Sequence, residues 1–170
     1  MNQKFSEMNT YMGGMFPISV SSGTRTTDFV PVGDQERIAF VIELGVTGSG
    51  GTIDAKVQLS ATGSVTGAGG VGGGTPTDLG TAYAITQIGD TGDGRVVIIE
   101  VPAAAIRKFW DTSAANALLT KIGLLLTVGG STTALIAVQI WGVAQTRGAY
   151  ARDPQENVIT VGGVAEVVGN

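Results

Sequence analysis

The feature that most constrains this chain is its succession of short apolar, β-branched runs separated by clusters of Gly, Asp, Ser and Thr. The segment Ile53–Leu59 alternates strictly between apolar and polar residues, as in a strand with one buried and one exposed face. Arg37–Glu43 and Val96–Ile99 are more continuously apolar, so we expect them to be central or covered on both faces. These runs predict an antiparallel all-β fold.

About eight runs qualify as strands, and their number and turn signals predict a β-sandwich of jelly-roll type. A tight loop at Gly129–Thr133 is expected to join the last two. That loop argues against a single membrane-spanning helix over the uncharged segment Ile122–Thr146. The predicted strands are Phe16–Val20, Thr27–Val32, Arg37–Leu44, Thr52–Ser60, Tyr83–Ile88, Arg95–Val101, Lys121–Val128 and Ala134–Val143.

One helix is expected among these strands, over Pro102–Trp110. It has Pro at its first position, an Ala-rich body and basic residues near its end, where they suit the helix dipole. Its side chains Ile106, Phe109 and Trp110 are predicted to cover an open end of the sandwich. Residues 5–12 carry apolar side chains at helical spacing, and a short helix and a flexible arm explain them equally well.

The length of 170 residues predicts one β domain at 16–150, with an N-terminal arm at 1–15 and a C-terminal tail at 151–170. The apolar side chains of the arm and the tail cannot form a core alone, so we expect them to contact neighbouring subunits. The segment Val158–Val168 could add a strand to a neighbour's sheet edge. The predicted contact residues are Phe5, Met8, Tyr11, Met12, Met15, Val158, Val161 and Val164.

Composition excludes several chemistries. The chain has no His and no Cys, which removes Ser-His-Asp triads, thiolate nucleophiles and the commonest metal ligands. The sequence therefore predicts a non-enzymatic protein without cofactor or metal. Its ten basic residues are scattered and the net charge is −4, so direct nucleic-acid binding is not expected. Because no membrane span is predicted, membrane association is not expected either.

Two motifs match catalytic or binding patterns; a chance match in a glycine-rich loop explains the first better, and a turn explains the second better. Gly67–Gly72 fits G-x-G-x-x-G, but glycines and a proline follow it where a dinucleotide fold needs a helix. Asp90–Gly92 is the triplet of aspartic proteases, which need two such carboxylates and hence a symmetric dimer here. The wider segment Asp90–Gly94 has the composition of a hairpin turn. A weak Ca²⁺ site at Asp90 and Asp93 remains open.

Four aromatic residues, Phe29, Phe40, Tyr83 and Trp141, fall in predicted strands and are expected in the core. A carbohydrate-binding module would instead need exposed aromatic rings and carboxylates at one edge. The sequence singles out no aromatic residue for that role.

The order of several segments resembles the small virion proteins of tailed bacteriophages that are encoded near the major capsid protein. The resemblance covers roughly residues 16–150. The segments that carry it are Phe16–Thr24, Thr27–Val32, Arg37–Leu44, Gly51–Gln58, Ala84–Ile88, Val96–Val101 and Ala134–Gly142.

This resemblance implies a β-sandwich that decorates or cements a phage head by binding the major capsid protein and copies of itself. A trimer is favoured, because capsid lattices offer threefold positions. The implied location is the virion, after synthesis in the host cytoplasm. The alternatives are a tail, neck or minor capsid protein and, from another class, a carbohydrate-binding β-sandwich module.

Overall fold

The structure is a computed structural model, and it describes residues 9–61, 75–89, 94–144 and 164–168. The helix and the 3-10 turns are α1 (Ala103–Trp110), Thr81–Tyr83 and Asn116–Leu118. The strands are β1 (Asn9–Thr26), β2 (Val30–Pro31), β3 (Gln35–Thr47), β4 (Thr52–Ser60), β5 (Thr77–Asp78), β6 (Ala84–Gly89), β7 (Val96–Pro102), β8 (Lys121–Ala144) and β9 (Val164–Val168).

Strand β8 organises the sheet. On one side it pairs with β1, from Asn9 opposite Val143 to Thr26 opposite Leu125. On the other side it pairs first with β4 and then with β3, while β7 pairs with β3 and β9 pairs with β7. Hydrogen bonds thus join the described strands into one nine-stranded sheet, antiparallel except for the β7–β9 ladder. The antiparallel all-β class is confirmed, and closure as a two-sheet sandwich stays a prediction.

Because β8 pairs with β4 along its first part and with β3 along its last part, the sheet is divided into two halves. We call the part built on residues 133–144 of β8, with β3, β7 and the first half of β1, the β3 half. The part built on residues 121–129 of β8, with β4, β5 and β6, is the β4 half.

The tight loop predicted at Gly129–Thr133 is wrong, because β8 runs unbroken through these residues. At the change of partner, Gly130 has a φ of +81°, which glycine adopts without steric cost. A Cβ on Gly130 would lie 2.6 Å from the carbonyl oxygen of Gly50, in the connection between β3 and β4. Because Gly130 and Gly50 have no side chains, β8 can pass close to this connection and continue as a strand, and no chain reversal occurs at Gly130.

The two halves share one core. The alternation predicted for Ile53–Leu59 is confirmed, since its apolar side chains are fully buried and the three polar ones between them lie on the outer face. Inward residues of the β3 half join the same cluster. Its fully buried large side chains include Phe40, Ile38, Ile42, Ile53, Leu59, Ile99, Ile106, Ile122, Leu124, Leu126, Ile136 and Ile140.

Helix α1 lies between β7 and the Asn116–Leu118 turn, and it confirms the predicted helix. Pro102 caps its N-terminus from an extended conformation, so it stands one position before the predicted one. Ile106 is fully buried, and Phe109 and Trp110 pack partly buried against the core. The Trp110 indole donates a hydrogen bond to the Leu119 carbonyl at 2.9 Å. Among the described residues, no helix has the length and hydropathy needed to cross a bilayer.

The N-terminal boundary differs from the predicted one. Strand β1 begins at Asn9, so residues 9–15 belong to the sheet rather than to an arm, and no helix continues to residue 12. Close packing explains the strand: a Cβ on Gly14 would lie 2.1 Å from the Val138 carbonyl oxygen. A glycine-interrupted segment that looks flexible in sequence is thus placed where only glycine fits against β8.

The predicted strand Thr27–Val32 pairs only at Val30–Pro31. Before this pair, Thr27 connects the chain to β8 by two hydrogen bonds with Leu124. Its backbone N–H donates to the Leu124 carbonyl, and its buried hydroxyl accepts from the Leu124 N–H, both at 2.9 Å. One side chain therefore replaces part of a strand ladder, which apolar patterning alone does not reveal.

Candidate functional site

The outer side of the β3 half carries apolar side chains that nothing in the described structure covers completely. Because Ile38, Phe40 and Ile42 point inward, their neighbours point outward. Register places these outward residues in rows across β8, β3 and β7. We call this surface the Trp141 face, made of Ala137, Gln139, Trp141, Val143, Arg37, Ala39, Val41, Glu43, Val96, Ile98 and Glu100.

A chain of side-chain contacts crosses the Trp141 face. The ring of Tyr11, from β1, meets the ring of Trp141 edge to face at a centroid distance of 5.4 Å. The Trp141 indole donates to Gln139 Oε1 at 3.0 Å. The Gln139 amide in turn donates to Glu43 Oε1 at 2.6 Å. These contacts hold the two aromatic rings and the carboxylate on three adjacent strands.

The remaining charges of the Trp141 face also form a pair. Arg37 Nη1 donates to Glu100 Oε2 at 2.6 Å, and both side chains are about one-third exposed or less. Because these polar groups already bond to one another, covering the face would leave few of them without a partner. Such coverage costs little, since buried polar groups are expensive mainly when they lose their hydrogen bonds.

A second apolar surface adjoins this face where two β-bulges flank β8. One bulge in β1, between Met15 and Ile18, places Phe16 outside the ladder. The other, in β3 between Leu44 and Thr47, places Val46 outside it. We call Phe16, Val46 and Leu135 the bulge patch; their exposed fractions are 87%, 72% and 45%.

The predicted contact residues fall into three groups. Three of them, Tyr11, Met12 and Met15, lie in β1: Met12 and Met15 pack against the chain's own core, and Tyr11 contacts Trp141. Val164 begins β9 and pairs with Val96 of the same chain. Phe5, Met8, Val158 and Val161 lie outside the described residues, and their role in assembly stays a prediction.

The prediction that four aromatic residues lie in the core holds for three of them. Phe29, Phe40 and Tyr83 are buried, and burial raises the pKa of the Tyr83 phenol. Trp141 lies instead on the outer face, half-buried. The error follows from periodicity: Ile140 takes the inward position of β8, so its neighbour must point outward.

The two motifs that match catalytic or binding patterns fall outside the part of the chain that the structure describes. Asp90–Asp93 and the glycine-rich segment at 63–74 both lie there, so the protease, Ca²⁺ and dinucleotide interpretations stay hypotheses from sequence. Within the described ranges, no three acidic side chains come together as a metal site would require.

Sequence analysis missed the Trp141 face and the bulge patch, although one signal was present. The continuously apolar strands were expected to be central or covered on both faces. Both β3 and β7 lie between other strands of the sheet, yet the outward residues Val41, Val96 and Ile98 are only partly buried. The apolar residues on both sides of these strands thus indicated an apolar outer surface, but no layer of described residues covers it. A scan of protein-family models gives no match, and a search of curated proteins finds no similar sequence.

Proposed function

We propose that this protein is a non-enzymatic structural subunit of a bacteriophage virion, which decorates or cements the head by binding the major capsid protein. The bulge patch is the observation that carries the proposal. Large apolar side chains gathered on the surface of a folded domain are typical of protein interfaces. Here they lie on three neighbouring strands beside a face with few free charges.

The resemblance of residues 16–150 to small phage virion proteins supports the choice of partner. A cement protein needs a stable β domain and a surface that is cheap to desolvate, and both are consistent with the fold described above. In this proposal the subunits form a trimer on the particle. A tail, neck or minor capsid location uses the same surface and differs in the particle that the protein binds.

Cosedimentation with phage heads that lack the protein tests this proposal. We expect the chain to bind heads, and the double variant Phe16→Ser, Val46→Ser to bind at least tenfold more weakly, a loss of about 1.4 kcal/mol. Leu118→Ser is the matched control, since Leu118 is 68% exposed and lies outside the bulge patch. Equal binding of the double variant, or binding to tails but not to heads, contradicts the head proposal.

Carbohydrate binding is the second candidate function, and one observation favours it. Tyr11 is 54% exposed, and it stands beside Trp141, Gln139 and Glu43, a combination of aromatic, amide and carboxylate groups that sugar sites use. A glycan array with the wild type and Tyr11→Ala tests this candidate. Glycan binding that Tyr11→Ala abolishes would favour it over the head proposal.

A further inference from the structure

The outer edge of β7 would be a poor edge for a soluble protein. Its residues Val96–Ile99 are four consecutive β-branched apolar residues, without the Lys or Pro that often protects an edge strand. Val97 and Ile99 point into the core, while Val96 and Ile98 lie partly exposed on the Trp141 face. An uncovered edge of this kind invites pairing with another strand.

Strand β9 covers this same stretch. Val164 pairs with Val96, and the ladder ends with Val168 opposite Ile99. The cover therefore stops where the apolar run of β7 gives way to Glu100. Backbone pairing over so few residues is weak by itself, because a short added strand must offset the entropy of ordering its segment.

The connection between β8 and β9 is longer than pairing of β9 with its own sheet requires. β8 ends beside the start of β3, at Ala144 opposite Gln35, whereas β9 begins level with Glu43 at the far end of that strand pair. The two ends of the connection are therefore separated by roughly 27 Å along β3 and by three strand spacings across the sheet. Residues 145–163 span up to about 60 Å when extended, so they reach farther than the connection requires.

We propose that the β7 edge is an acceptor for the β9 strand of a second copy, so that neighbouring subunits are linked by exchange of their C-terminal strands. Exchange keeps every backbone hydrogen bond of the β7–β9 ladder and links two subunits through a strand that is covalently attached to one and hydrogen-bonded to the other, which is why swapped elements are an economical route to oligomers. A tether of this length presents its own β9 at an effective concentration of about a millimolar or below.

Copies packed side by side on a particle present their edges at a similar concentration, so exchange competes with intrachain pairing. This last step rests on the proposed virion function. The test is made in solution, where the strand exchange can fail while head binding stands, and the reverse.

Thiol crosslinking tests the exchange, because the chain has no Cys of its own. Full chains carrying Ile98→Cys are mixed at millimolar concentration with full chains carrying Val167→Cys, whose positions are paired in the ladder. A short thiol-specific crosslinker is added. Because each chain has one thiol, any crosslink between the two variants forms between subunits. The control mixture replaces Ile98→Cys with Lys56→Cys, at an exposed position of β4.

We expect crosslinked dimer in the Ile98→Cys mixture at no less than ten times the control yield. A double variant carrying both substitutions in one chain distinguishes the alternatives. Internal crosslinking of that variant, with no excess dimer in the mixture, means that β9 stays on its own chain and overturns the proposal. Absence of both products means that β9 does not occupy the β7 edge, and it overturns the proposal as well.

Discussion

The two halves of the sheet share a core but differ on their outer faces. In the β4 half the outward side chains of β4 are polar and tied to their neighbours: Lys56 and Gln58 both contact Asp78, and Asp54 accepts from the Gln87 N–H. In the β3 half the outer face carries Trp141 and a row of aliphatic residues. The difference teaches that alternating apolar and polar residues indicate a strand with one face in water, whereas a continuously apolar strand indicates a second face that another molecule can cover.

The shared core gives the largest expected effect. Phe40→Ala in the β3 half should lower the free energy of unfolding by about 3–5 kcal/mol, and Leu126→Ala in the β4 half by about 2–5 kcal/mol, because both side chains are fully buried. Urea unfolding, followed by tryptophan fluorescence and by circular dichroism, measures both. We expect one coincident transition in each variant. Two separated transitions would show that the halves fold independently.

The next largest effect is expected at Gly130, where β8 changes its pairing partner from β4 to β3. Gly130→Ala combines a positive φ with a contact to the Gly50 carbonyl, so we expect a loss of about 1–3 kcal/mol. Gly33→Ala is the control, since Gly33 has a φ of +57° but open space around it and should lose about 1 kcal/mol. Thermal unfolding compares the two. Equal losses would mean that the close passage at Gly130 costs nothing.

These variants also show what the sequence could predict. Local patterns predicted α1, the alternation of β4 and the antiparallel all-β class, because capping and period two depend on neighbours in the chain. The continuity of β8 through Gly129 and Gly130 could not be predicted, since two glycines fit a tight turn between two strands as well as one strand that changes its pairing partner. Only the position of Gly50 decides between them, and that is a tertiary contact. The outward position of Trp141 likewise depends on the exact register of β8.

A charge placed on each outer face sharpens the comparison. Val41→Lys on the Trp141 face and Thr127→Lys on the β4 half both replace a partly buried outward residue, so each should cost under about 1 kcal/mol of stability. Binding to heads should fall at least tenfold for Val41→Lys, because a buried charge without a partner is costly. Thr127→Lys should bind as the wild type does. Cosedimentation measures both, and the reverse order would place the interface on the β4 half.

The ion pairs of the two halves give the smallest difference. Arg37–Glu100 is short and partly shielded, whereas Lys56–Asp78 is 3.5 Å long with about half of each side chain exposed. Double-mutant cycles should give a coupling of about 1 kcal/mol for the first pair and about 0.3 kcal/mol for the second. Added salt should weaken the second pair more. A stronger Lys56–Asp78 coupling would contradict the idea that the Trp141 face is the better shielded one.

Hydroxyl-radical footprinting of the full chain, free and bound to phage heads, tests most directly whether the β3 half is the contact surface. Phe16, Val46 and Tyr11 are exposed in the free chain and should lose most of their oxidation on binding. Leu118, which is 68% exposed but lies outside the bulge patch, should be oxidised at the same rate in both states. Protection of Leu118 with unchanged oxidation of Phe16 and Val46 would contradict the account.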